Sequence, residues 1–92
     1  DINDYLQSYN ISMAFMACTG VTMKSGLTNA SAEEYITKKA IAENANSMIL
    51  LADHSKFGNI SSVTFGSFQN GTILTDTCPE EYKNSGNVVI CG

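Results

Sequence analysis

Two short apolar runs without alternation, Met13–Cys18 and Met48–Ala52, stand on either side of a segment with helical spacing, and this arrangement constrains the fold most. A run of that length lacking a polar face suits a strand covered on both sides, the setting of a parallel sheet. Parallel neighbours need a crossover of a dozen or more residues, usually a helix. The intervening segment supplies one. Ser31 followed by Glu34 is a capping-box spacing, in which the serine oxygen takes the third helical amide and the glutamate reaches back to the cap. The spacing predicts a helix from about Ala32 to Ala45, with Glu33 and Glu34 at the positive end of its dipole.

The remaining elements follow the same logic. Ile2, Tyr5, Leu6 and Tyr9 recur at helical spacing and predict an opening amphipathic helix ended by Asn10. Thr19–Asn29, with Gly20, Gly26 and small polar residues, reads as a loop, and His54–Asn59 as an ordered polar loop. Val63–Phe68 alternates as a short strand, Ile73–Thr75 follows the Asn70-Gly71 turn signal, Pro79–Asn84 suits a short helix, and Val88–Cys91 gives a last strand. Strands alternating with helices predict an α/β fold with a mostly parallel, layered sheet.

Composition narrows the function. A net charge of −4, with five dispersed lysines and no arginine, leaves no basic stripe for nucleic-acid phosphates. No apolar run approaches the length of a membrane span, so no membrane contact is expected. Cys18, Cys78 and Cys91 sit in apolar surroundings without CxxC or Cys/His ligand spacing, and read as core thiols in a reducing compartment. With a single histidine, no metal site is expected. No GxxxxGK loop, GxGxxG fingerprint or Ser/His/Asp set occurs, so neither a cofactor nor an enzymatic activity is indicated. The Asn-x-Ser/Thr matches at Asn10, Asn29, Asn59 and Asn70 are attributed to chance in a chain rich in these residues.

Ligands of open parallel sheets bind beyond the carboxyl ends of the strands. Three places qualify: Thr19-Gly20, the helix start at Glu34, and Asp53-His54-Ser55-Lys56-Phe57-Gly58. Glu34 and Lys38 share a helix face and can either meet one ligand or pair with each other. Asp53 can accept hydrogen bonds from sugar hydroxyls or simply turn the loop, Lys56 can meet a phosphate, and Phe57 and Gly58 fix the loop by packing and a tight turn. His54 reads as solvated.

Glu34-Tyr35-Ile36-Thr37-Lys38-Lys39-Ala40-Ile41 and, more specifically, Leu50-Leu51-Ala52-Asp53-His54-Ser55-Lys56-Phe57-Gly58 resemble the sensor domain of the DeoR family of transcriptional regulators. Ile73-Leu74-Thr75-Asp76 and the Ala14-Phe15 and Thr19-Gly20-Val21 segments resemble further family motifs, so the likeness covers nearly the whole chain. The resemblance implies a doubly wound fold related to ribose-phosphate isomerases and sugar-phosphate deaminases, of which residues 1–92 would be the C-terminal part of one effector-sensing domain. It implies a phosphorylated sugar as effector, with Glu34, Lys38, Asp53 and Lys56 lining the pocket and Thr19, Gly20 and Thr28 adding loop contacts. It further implies a cytoplasmic homo-oligomer that meets DNA only through an N-terminal winged helix-turn-helix outside these residues. Two alternatives carry the same residue types: a fragment of a sugar-phosphate isomerase-like enzyme, and an oligomerisation module without a ligand.

Overall fold

The computed structural model describes residues 2, 4 and 10–91. Of the expected opening helix, Ile2 and Asp4 are helical; the rest of that expectation lies outside the described residues.

The chain builds two sheets. Strands β1 (Ile11–Ala17), β4 (Ala45–Leu51), β6 (Thr72–Thr75) and β7 (Val88–Ile90) form a four-stranded sheet in the order β1-β4-β6-β7, with every neighbouring pair parallel. Strands β2 (Gly20–Thr22), β3 (Gly26–Asn29) and β5 (Val63–Gly66) form a smaller antiparallel sheet. Helix α1 (Ala32–Asn44) lies between β3 and β4, and a single turn of helix, α2 (Glu80–Lys83), lies between β6 and β7. The α/β class and the parallel sheet are as expected.

Three boundaries differ from the sequence reading, each for a physical reason. Thr19–Asn29 is a hairpin rather than a loop, because β2 and β3 pair antiparallel and the polar side chains of Thr28 and Asn29 are buried with partners inside the protein instead of facing water. The alternating stretch from Val63 pairs with this hairpin, outside the parallel sheet, and ends at Gly66; Phe68 opens a 3-10 turn. Strand β4 starts at Ala45, ahead of its apolar run, since Ile11 and Met13 provide backbone partners for Ala45 and Ser47 whatever their side chains.

Helix α1 is capped by the Ser31 hydroxyl, which accepts from the Glu34 amide at 3.3 Å. The return arm of the expected box is used differently: the Glu34 carboxylate accepts from Asn29. At the other end the helix passes directly into β4, with Asn44 Nδ2 donating to the Ala40 carbonyl.

The core lies between the two sheets. Val21 and Leu27 of the hairpin meet Leu50 and Ile73 of the parallel sheet, all four fully buried, and Phe57, Phe65, Phe68 and Tyr82 close around them. Phe57 and Phe68 both lean on the Tyr82 ring, at centroid distances of 4.9 and 5.6 Å. An apolar side chain of this size contributes roughly 1.5–3 kcal/mol on burial, so this cluster carries much of the stability. Cys18 and Cys78 belong to it as expected, but Cys91, which follows β7 and bonds through its amide to the Thr75 carbonyl, has an exposed side chain outside the core.

The opposite side of the parallel sheet is open. Register sets Phe15 beside Ile49 and aligns Ala17, Leu51, Leu74 and Val89 in one row. Phe15, Met13, Leu51 and Val89 are all about half or more exposed. The expectation that Met13–Cys18 is covered on both faces therefore fails within the described residues. Sheets of this kind have both faces covered in complete domains.

Candidate functional site

The seven residues singled out by sequence fall into three groups around the carboxyl ends of β1 and β4. The first group is Thr19, Gly20 and Thr28, in a seam between the hairpin and the loop after residue 58. Thr28 is fully buried; its hydroxyl donates to the Gly20 carbonyl at 3.2 Å and accepts from the Ser61 amide at 3.0 Å. Thr19 meets the Ser61 hydroxyl at 2.6 Å. Gly20 is required by close approach: a Cβ there would stand 2.2 Å from the Asn59 carbonyl oxygen. The seam thus ties the hairpin to that loop through bonds within the protein.

The second group is Glu34 and Lys38, one turn apart on α1. They do not ion-pair directly among the described contacts. Asn29, at the end of β3 and only 1% exposed, lies between them: its Nδ2 donates to Glu34 Oε2 at 2.8 Å, and its Oδ1 accepts from Lys38 Nζ at 3.0 Å. Lys38 Nζ also donates to the Ala17 carbonyl at 2.7 Å and stands 5.6 Å from the centre of the Phe65 ring. The pair opens onto a groove of about 600 Å³ lined by Phe15, Met16, Ala17, Glu33, Glu34, Thr37, Lys38 and Ile41. Asn29 was missed as a functional candidate. Nothing in a single sequence separates an asparagine buried between two charged side chains from one turning a loop.

The third group is Asp53 and Lys56, in the 3-10 turn after β4. Asp53 caps the turn by accepting from the Ser55 amide at 2.8 Å and from the Ser55 hydroxyl, and these bonds hold its carboxyl below the usual range. Lys56 Nζ lies 3.9 Å from Asp53 Oδ2. One residue not foreseen as part of the site joins this rim. Asp76, at the end of β6, accepts from the His54 amide at 2.8 Å and faces His54 Nδ1 at 2.7 Å. The His54 bond pulls the Asp76 carboxyl down to about 2, and Asp76 in turn raises the imidazole. His54 is solvated as expected and is also tied to the neighbouring strand. Leu51, Ala52, Asp53, Leu74, Thr75, Asp76 and Cys91 line a second hollow of about 440 Å³.

Ala17 of the first hollow and Leu51 of the second are register partners, so the two adjoin across β1 and β4. Cys18 follows β1 into the core: burial pushes its thiol up, while Lys38 and Lys56 both act on it in the opposite sense. Phe57 and Gly58 hold the rim as anticipated, Phe57 by burial and Gly58 by a left-handed backbone at φ +88°. Among the described residues no cluster of His, Cys, Asp and Glu could hold a metal, and no helix is long and apolar enough to cross a membrane.

A family model described as the DeoR C terminal sensor domain matches residues 1–77. The chain is 51% identical over 84 residues to the HTH-type transcriptional regulator IolR of Bacillus subtilis, an alignment covering 89% of this chain and 34% of that protein. It is 30% identical over 77 residues to the glycerol-3-phosphate regulon repressor of Escherichia coli, covering 83% and 31%. It is also 30% identical over 95 aligned positions to the HTH-type transcriptional regulator GlpR of Haloferax volcanii, covering 96% and 37%. The chain spans about a third of the length of these relatives.

Proposed function

Because this chain belongs to the DeoR family, as part of its C-terminal sensor domain, we propose that it binds a phosphorylated sugar and passes the binding on to a DNA-binding part of the same regulator. The observation that carries the reading is the convergence of Glu34 and Lys38, held through Asn29, with Asp53 and Lys56 at the carboxyl ends of adjacent parallel strands. A polyhydroxylated anion needs hydrogen-bond acceptors for its hydroxyls and cations for its charge, and both are present. Glu34, Lys38, Asp53 and Lys56 are the contacting groups, while Thr19, Gly20 and Thr28 shape the loop beside them. A ligand shifts a regulator only by binding its states unequally, so the site works as a sensor if the loops after β1 and β4 differ between those states. On this reading the protein acts in the cytoplasm and catalyses nothing.

Thermal unfolding against a panel of sugar phosphates and their unphosphorylated parents tests this. A ligand at a hundred times its Kd stabilises by about 2.7 kcal/mol, and that shift is expected for a phosphorylated member of the panel. A flat response across the panel would overturn the reading. The open sheet face favours a second role, as an assembly surface through which copies of the regulator associate. Sedimentation of the chain with Phe15→Ser and Leu51→Ser introduced should show loss of association; an unchanged distribution would sink that role.

A further inference from the structure

We propose that Asn29 is a positioning residue that holds Glu34 and Lys38 apart as a matched acceptor and donor, so that the groove beside α1 reads the hydroxyls of a sugar and not its phosphate; this rests on the sensor reading above. The side chain of Asn29 is almost wholly buried, and its amide has two partners, one at each charged group. A buried amide left unpaired is costly, so its donor and acceptor ends fix where the carboxylate and the ammonium stand. Being neutral, it also keeps the two charges from collapsing into the direct i,i+4 pair that their spacing allows.

What remains open for a ligand follows from counting bonds. An ammonium has three donors; the Ala17 carbonyl and Asn29 take two from Lys38, leaving one. Glu34 gives Oε2 to Asn29, leaving Oε1 to accept. The groove therefore offers one charged donor beside one charged acceptor, a match for hydroxyl groups, which both accept and donate. A phosphate dianion is a poor fit there. Glu33 and Glu34 together set two carboxylates against a single ammonium, while Phe15, Met16 and Ile41 supply an apolar wall for the carbon skeleton.

The test is NMR of this chain, following the Asn29 side-chain amide. Without ligand its hydrogens should exchange slowly, and Glu34→Ala should speed that exchange by about tenfold or more. Fast exchange in the unsubstituted chain would overturn the positioning role even if every probe bound near Asp53. Glucose 6-phosphate and glucitol should both move the Asn29 signal, whereas inorganic phosphate should not. A shift with inorganic phosphate would overturn the hydroxyl assignment and leave the sensor reading intact; silence from every probe at Asn29, Glu34, Lys38, Asp53 and Lys56 would overturn both. Asn29→Asp, which sets two carboxylates face to face, should weaken glucose 6-phosphate by about tenfold. Adding Glu34→Gln restores a donor opposite an acceptor at unchanged net charge and should raise the urea midpoint of Asn29→Asp back toward that of the unsubstituted chain. A double variant no more stable than Asn29→Asp alone would refute the positioning role.

Discussion

The polar groups of the hairpin seam and those of the loop after β4 are built on opposite terms. In the seam, Thr28 and Asn29 are buried and every bond they make is to another part of the protein. On the rim, Asp53, His54 and Asp76 are bonded just as densely but stand in water. A buried polar atom that loses its partner bears the whole desolvation penalty, while an exposed one turns to solvent. The seam is thus a fixture that sets where site groups stand. The rim is a surface whose chemistry can change without disturbing the fold.

Substitutions can break or sharpen this contrast. Asn29→Ala removes two bonds and leaves a small hole between two charged groups, and is expected to cost about 2–3 kcal/mol in urea unfolding. A cost below about 0.5 kcal/mol would erase the distinction. Thr28→Val keeps the shape but strands the Gly20 carbonyl and the Ser61 amide, for an expected loss of about 1–2 kcal/mol on the same measurement. Asp53→Ala, on the rim, removes an exposed cap and should cost only about 0.5–1 kcal/mol while abolishing the thermal shift produced by a sugar phosphate. A folded Asp53→Ala chain that still responds would remove the rim from the site.

The smallest effect expected is in pH dependence. The raised His54 contributes stability that is full below the ordinary imidazole value of 6.5 and is lost as pH rises through its folded value. The depressed Asp76 contributes stability that is full above the ordinary carboxylate value of 3.8 and is lost as pH falls through about 2. Their shared bond is therefore strongest between those two ordinary values. Both side chains are at least half exposed, so solvent screens the pair. In Asp76→Asn, the His54 ring protons followed by NMR should titrate closer to 6.5; an unmoved titration would mean that Asp76 does not act on the ring.

Much of the fold was legible because it is written in apolar runs and a cap. Met13–Cys18 and Met48–Ala52 mark β1 and β4, and Ser31 places the start of α1. The hairpin was illegible for the reason that makes the seam distinctive: Thr28 and Asn29 are polar residues in a core, and polarity in sequence reads as surface. The open face of the parallel sheet was hidden too, since the composition of β1 does not say whether anything covers Phe15. At the site, residues whose charge announces them, Glu34, Lys38, Asp53 and Lys56, were found. Asn29 and Asp76, which act by holding those groups or their neighbours, were not.

The parallel pairing of β1 with β4 also dictates a timetable. Ile11 is the register partner of Ala45, so among the described strands β1 gains its parallel neighbour only after the hairpin and the whole of α1 have followed it. The hairpin closes on local contacts as soon as it is made, whereas β1 must wait for a distant segment and bear the entropy of closing that loop. β4 is then claimed from both sides, by β1 behind it and β6 ahead. The joining of β1 to β6 and β7 therefore waits on β4, the strand that pairs with both sides.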